Sequence, residues 1–210
     1  MLRKIFSFRN KCFFRYIDEL AIHLQAMGSM FRDAMAGGPH TLDAHIMKME
    51  EKERAVSRLV SELRQEVGQD LMSPFDREDM HYLSSDLKHT AGDLLHITRQ
   101  VRSYMLFDIP PVTHTITGQY ITAIEKLCTI LYGLRDTGGL LRMTGVCTEI
   151  KQLLYHCDEQ LDKAIADMVN DGREGIALIK IMDHFTALDR LLERTHDTVN
   201  VCESIIVKYS

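Results

Sequence analysis

The last long segment of the chain, residues 176–208, constrains the fold most. It contains neither proline nor glycine. Its apolar residues recur at steps of three and four, which places them on one face of an α-helix. These residues are Ile181, Phe185, Leu188, Leu192, Val199, Cys202 and Ile206, with Thr195 filling the one longer step. The segment therefore predicts a single long helix with one buried face.

Beside this apolar face, the same helix carries a polar and mostly acidic stripe. It consists of Asp189, Glu193, His196 and Asn200, with Asp197 and Glu203 close by. Residues three or four apart lie on one side of a helix, so these groups are neighbours. Such a stripe is either solvated or holds cations between neighbouring helices, and the spacing alone leaves both readings open.

Composition excludes several classes of protein. A chain of 210 residues with a net charge of −5 and no dense basic patch is not expected to bind nucleic acid. The apolar runs are too short to span a bilayer, and the start of the chain lacks the features of a signal peptide. The five cysteines form no CxxC pair, which is typical of reduced thiols in a cytosol. These features favour a cytoplasmic protein.

Five further segments show helical periodicity, and none shows the alternation of a β-strand. They cover residues 13–36, 41–67, 73–107, 112–134 and 148–169, with a turn at 170–172 before the last helix. Pro110 and Pro111 interrupt the pattern midway, because two prolines cannot lie inside a helix. We predict an all-α protein, a six-helix antiparallel bundle made of two three-helix halves. The halves, residues 1–109 and 110–210, would form one compact domain.

Local residues predict where two of these helices begin. The turn at residues 37–39 ends the first helix, so Thr41 or Asp43 would cap the second. Ser73 is expected to cap the third helix, with Pro74 at its first position and acidic residues in its first turn.

Two stretches resemble a known family. One is the run Ser-Pro-Phe-Asp-Arg-Glu-Asp-Met at residues 73–80. The other extends from Leu188 to Lys208 and includes the spaced acids, Asn200 and the ending Ile-Ile-Val-Lys. Both are similar to the PhoU-like accessory proteins of Pit-type inorganic phosphate transporters, and the likeness extends over almost the whole chain.

This resemblance implies a fold, a location and a role. It implies two three-helix bundles, clusters of carboxylates that can bind metal ions, and regulation of phosphate uptake rather than catalysis. The expected partner is a Pit-type phosphate permease at the inner membrane surface, so the protein would be cytoplasmic and could lie peripheral to that membrane. A homo-oligomer is left open.

The resemblance also implies a metal site in the second half of the chain. The family's acidic pattern falls on Asp189, Glu193 and Asp197 of the last helix, and Glu159 and Asp162 of the preceding helix would face them. Hard cations prefer oxygen ligands, and carboxylates held close together repel one another unless a cation lies among them. The ion could be Mg²⁺, Ni²⁺, Zn²⁺ or iron, with His196 joining for the last two.

The corresponding cluster in the first half departs from the family pattern. Glu50 fits, but Arg54, Lys88 and His89 stand where the family carries acids. We expect the two cations to pair internally with Glu50 and to replace a metal ion.

Two alternatives remain beside the transport regulator. Asp93 with His96 and Glu193 with His196 are similar to the Glu-x-x-His pairs of ferritin-like di-iron bundles, although only one is a true Glu-x-x-His motif. The other alternative is an interaction bundle whose metal sites have decayed. Nucleophilic catalysis has no support, because the chain has no GxSxG, HExxH or phosphate-binding glycine loop.

Overall fold

The computed structural model of the protein describes residues 2–69, 74–170 and 175–210, with side chains described for 13–67, 74–136, 138–169 and 175–210. The predicted cap Ser73 and most of the predicted turn at 170–172 lie outside these ranges. The described residues form six α-helices and no strand, which confirms the all-α prediction. The helices are α1 Leu2–Ala36, α2 Pro39–Gln69, α3 Arg77–Tyr104, α4 Pro111–Gly133, α5 Met143–Asn170 and α6 Ile176–Tyr209, with a 3₁₀ helix, Thr137–Arg142, before α5.

The six helices form an antiparallel bundle of two three-helix sets. Helices α1, α2 and α3 pack on one another, as do α4, α5 and α6, and the sets join where α1 contacts α4 and α3 contacts α6. Consecutive helices reverse direction, so α1, α3 and α5 finish at one end of the bundle. We call this the Pro-Pro end, because it carries Pro110 and Pro111. The opposite end, where α1 begins and α6 finishes, is the terminal end.

The interior is a continuous apolar core, and it contains the residues that periodicity places inward. Phe31 of α1, Leu83 of α3 and Phe185 of α6 are each fully buried. The polar residue in the predicted apolar face of α6, Thr195, is buried too, and its hydroxyl lies 3.0 Å from the Tyr120 hydroxyl of α4. This bond satisfies two polar groups that would otherwise be costly to bury.

The predicted start of the second helix is wrong, because α2 begins earlier, at Pro39. Gly37 and Gly38 complete the turn, and proline suits the first position of a helix because its missing N–H needs no partner there. Thr41 and Asp43 therefore lie within the first turns of α2 instead of capping it. The Thr41 hydroxyl donates to the Gly38 carbonyl at 3.0 Å.

The third helix begins later than predicted, at Arg77, with Asp76 as its N-cap residue. Pro74 consequently precedes the helix. Between them Phe75 is 3% exposed and packs edge-to-face on Tyr209 and Phe13. Burial of this ring fixes the chain in a non-helical approach, so tertiary packing overrides the local helix-start signal.

The end of α3 is held by a residue in the left-handed conformation. Met105 has φ 52°, and its N–H donates to the Arg102 carbonyl while the Leu106 N–H donates to the Val101 carbonyl. Glycine usually occupies this position, because a side chain there is strained. The Met105 side chain is 68% exposed, so it recovers little by packing.

We expect Met105→Gly to raise the free energy of unfolding by about 0.5–1 kcal/mol, because relief of the strain exceeds the extra freedom of the unfolded chain. Urea denaturation would measure the change. Met105→Ala, which removes the side chain but keeps the strain, should leave stability nearly unchanged. An equal gain in both variants would assign the effect to the lost side chain and contradict the prediction.

Candidate metal centre

Asp158 of α5 lies at the centre of an acidic cluster between the last two helices. One of its carboxylate oxygens, Oδ1, is buried and has no hydrogen-bond partner among the described residues. Burial, first, and the negative charges of Asp189, Asp162 and Glu193 together raise the pKa of this carboxyl to about 6, while His196 acts in the opposite direction. Four carboxylates thus share one stretch of the groove between α5 and α6.

The structure brings three of the five predicted metal ligands together and places the other two apart from them. Asp162, Asp189 and Glu193 act on Asp158, as the sequence predicts for neighbours. Glu159 is exposed, and one of its carboxylate oxygens lies 3.3 Å from Nδ1 of His156. The acids of α5 in this cluster are therefore Asp162 and Asp158, and Asp158 directly precedes the predicted Glu159.

Asp197 also lies apart from the cluster. Its charge acts on Asp86 of α3, whose pKa is raised chiefly by burial. The physical reason is helical geometry, since a step of four residues overshoots a full turn by about 40° and two steps overshoot it by about 80°. Asp189 and Asp197 consequently face different neighbouring helices.

The residues of this cluster suit a hard cation by their chemistry. Carboxylate oxygens are the ligands that such ions prefer, and a cation would offset the repulsion among the four acids. In the part of the chain that the structure describes, however, no group of three or more His, Cys, Asp or Glu side chains is arranged to hold a metal ion. The metal site therefore stays a prediction.

Asp93, one of the two acids in the di-iron alternative, forms ion pairs with arginine. Asp93 is 15% exposed, and the guanidinium Nε of Arg194 donates to its Oδ2 at 2.5 Å. The Nε of Arg190 lies 4.0 Å from the other oxygen. His96 is exposed. Two cations thus compensate Asp93, where a di-iron site would need this carboxylate as a metal ligand.

The first-half cluster is an ion-pair network, as expected, but with a different main partner. Arg99 of α3 donates to Oε1 of Glu50 at 2.7 Å, and Arg54 lies 3.9 Å from Oε2. These cations hold the pKa of Glu50 below its usual range. The expected pairing of Lys88 with Glu50 is wrong, since no ion pair of Lys88 occurs among the described residues. Arg99, which the family pattern did not mark, takes its place.

The two motifs that carry the family resemblance meet in space at the terminal end. Lys208 donates to Asp76 at 2.6 Å and to Asp79 at 3.1 Å, which raises the pKa of the lysine. The Asp76 N–H donates to the Tyr209 hydroxyl at 2.6 Å, and the Tyr209 and Phe75 ring centroids are 5.0 Å apart. The motifs therefore form a clamp that fastens the end of α6 to the start of α3.

We expect Tyr209→Phe to lower the free energy of unfolding by about 0.5–1 kcal/mol, because it removes the acceptor of the Asp76 N–H but keeps the ring. Thermal unfolding would measure the loss. Tyr82→Phe is a matched control, since the Tyr82 ring is exposed and its hydroxyl makes no hydrogen bond to a described residue. If both substitutions shift the melting temperature equally, the hydroxyl of Tyr209 has no special role.

Four cysteines are buried thiols, and burial makes them poor nucleophiles. Cys128, Cys147, Cys157 and Cys202 are all free and buried. Burial raises the pKa of Cys147 to about 11 and those of Cys128 and Cys157 to about 12. A thiol that stays protonated is a poor nucleophile and a poor metal ligand.

The class of protein that these features define is a six-helix bundle of two three-helix sets with an acidic groove in the second set. No protein-family model and no curated protein sequence matches the chain. Solved structures of PhoU-like proteins do match it, so the predicted PhoU-like fold is confirmed. In the described residues, no helix is long and apolar enough to cross a membrane.

Two of these structures come from Shewanella oneidensis MR-1. A PhoU-like protein superimposes with a TM-score of 0.74 at 12% sequence identity, covering 93% of this chain and 99% of that one. A putative PhoU-like phosphate regulatory protein gives a TM-score of 0.70 at the same identity and coverage. At this identity the likeness shows the fold alone.

Proposed function

We propose that the protein regulates inorganic phosphate transport through contact with a Pit-type permease at the cytoplasmic surface of the inner membrane, without catalysing a reaction. The observation that carries the proposal is the match of nearly the whole chain to PhoU-like structures, one of which is named as a phosphate regulatory protein. The clamp between residues 76–79 and Lys208 adds support, because it gives the two family-like motifs one shared structural purpose.

Phosphate uptake in cells tests this proposal. Deleting the gene should change the initial rate of uptake of radiolabelled phosphate, and the wild-type gene on a plasmid should restore it. Affinity purification of the tagged protein from detergent-solubilised membranes should recover the permease. Unchanged uptake together with no recovered permease would overturn the proposal.

The second part of the proposal concerns metal. Asp158, Asp162, Asp189 and Glu193 would hold a hard divalent cation, which would neutralise the repulsion that raises the pKa of Asp158. Elemental analysis of the purified protein for magnesium, nickel, zinc and iron, with Glu193→Gln beside the wild type, tests it. Equal metal content in both proteins would exclude Glu193 as a ligand.

One observation favours a second candidate, the interaction bundle whose metal sites have decayed. Arginines compensate Glu50 in the first half and Asp93 at the junction of the halves, where acids alone would favour a metal ion. Under this candidate the protein still regulates through contact, but elemental analysis finds no stoichiometric metal in the wild type. Metal content therefore separates the two candidates.

A further inference from the structure

A cavity of about 230 Å³ opens at the Pro-Pro end, between the start of α4 and the end of α5. Its walls include Pro111 and Val112 of α4, Met168 of α5 and Phe185 of α6, so it is apolar at its base. Two carboxylates, those of Asp108 and Asp167, complete its lining. It is separate from Asp158, which lies about two and a half turns before Asp167 on α5.

The two carboxylates of this cavity are uncompensated. Asp108 and Asp167 are exposed and make no salt bridge or hydrogen bond to any described residue. Two other acids at this end of the bundle are paired, since Asp43 accepts from Arg102 at 2.7 Å and Asp183 accepts from Tyr104 at 2.6 Å. The cavity therefore combines an apolar base with two free negative charges at its edge.

Large apolar side chains are exposed at this same end. Phe107 and Met105 in the connection between α3 and α4 are 46% and 68% exposed. Val169 at the end of α5 is 61% exposed, and Ile176 and Ile179 at the start of α6 are also exposed. Exposed apolar surface rimmed by polar groups marks sites of protein contact. The end of the bundle thus has both the composition and the charge of a docking surface.

We propose that the Pro-Pro end binds a basic amphipathic segment of a partner protein. One cationic side chain of that segment lies between Asp108 and Asp167, with its aliphatic stem on Val112 and Met168, and its apolar residues contact Phe107. Charge complementarity selects this occupant, because an anionic lipid surface would be repelled by the same two carboxylates. The choice of partner rests on the proposed function, since cytoplasmic loops of membrane transporters carry an excess of lysine and arginine.

Binding of a designed peptide tests the surface directly. The probe is a fluorescein-labelled helical peptide with leucine on one face and lysine on the other, followed by fluorescence anisotropy. The double variant Asp108→Lys, Asp167→Lys should bind it about tenfold more weakly or worse. The matched control, Glu62→Lys with Glu66→Lys, changes the net charge equally on exposed positions of α2 and should bind like the wild type.

Several outcomes would overturn the proposal. Equal weakening in both double variants would show only a general attraction to an acidic protein. Equal affinity for a peptide with glutamate in place of lysine would remove the role of the two carboxylates. Tight binding of phosphatidylglycerol vesicles, undiminished by added peptide, would assign the surface to lipid. Circular dichroism of each variant confirms that the helices remain folded.

A cellular experiment separates this inference from the proposed function. If deletion of the gene changes phosphate uptake but the Asp108→Lys, Asp167→Lys protein restores it fully, the docking surface is wrong and the function stands. If deletion changes nothing while the peptide still binds at Asp108 and Asp167, the surface stands and its partner is not a phosphate permease. Loss of restoration by this variant, with restoration by the α2 control, supports both.

Discussion

Lowering the pH from 7 to 4 should cost the native protein about 3 kcal/mol through His184 alone. This side chain of α6 has no exposed surface, and neither ring nitrogen has a hydrogen-bond partner among the described residues. Burial lowers the pKa of the imidazole from 6.5 to about 4, against a weaker opposing effect of Asp183. The fold therefore requires the neutral ring.

The direction of the effect follows from the lower pKa in the folded state. Between pH 6.5 and pH 4 the unfolded chain binds a proton at His184 that the native protein does not bind. The contribution of this residue to the free energy of unfolding is therefore complete above pH 6.5. It falls as the pH drops through this window and is constant below about pH 4.

Urea denaturation of the wild type and of His184→Leu, at intervals across this window, isolates the contribution. Leucine has a similar volume and no polar atoms, so the variant should be at least as stable as the wild type at pH 7. The variant should then gain on the wild type by about 3 kcal/mol as the pH falls to 4. His40→Gln, a change at an exposed position, should follow the wild type. Parallel curves for His184→Leu and the wild type would contradict the assignment.

Much of the fold follows from periodicity, because burial of one face is a local property of a helix. The apolar face predicted for α6 is buried in full, including Thr195, and the break at Pro110 and Pro111 falls where α4 begins, after the end of α3. Helix ends were harder to predict, because distant residues decide them. Nothing near Pro74 in the sequence shows that Phe75 will be buried against Tyr209.

The acidic groove could be predicted only in part, for two physical reasons. Residues spaced by four lie near one face of a helix, but each step rotates the side chain further round the axis. Asp197 therefore lies toward α3 and away from Asp189. Whether Asp158 or Glu159 faces α6 depends on how α5 is rotated about its axis. Because the two acids are adjacent in sequence, their spacing alone does not decide between them. Long-range partners such as Arg99 for Glu50 leave no local signal at all.

Replacing Asp158 with Asn should stabilise the metal-free protein at pH 7 and weaken its response to divalent cations. Burial, Asp189, Asp162 and Glu193 raise the pKa of Asp158 from 3.8 to about 6, so the ionised form is unfavourable in the folded state. Stability that the neutral carboxyl provides at low pH is lost as the pH rises through about 6. Because the side chain is only partly buried, solvent screening reduces the expected gain of the variant to about 1 kcal/mol.

The stability gain of Asp158→Asn and the response of the wild type to cations have the same cause, which is repulsion between ionised Asp158 and the acids around it. The stability advantage of Asp158→Asn should shrink as the pH falls below 6 and vanish near 3.8, where both side chains are neutral. Added Mg²⁺, Ni²⁺ or Zn²⁺ should raise the melting temperature of the wild type, because the ion offsets the same repulsion, and should raise that of the variant less.

Glu159→Gln is the matched control, since it removes one charge from an exposed position of the same helix. Equal behaviour of the two variants would show that net charge is responsible, and a variant less stable than the wild type at pH 7 would show that Asp158 is not repelled by its neighbours.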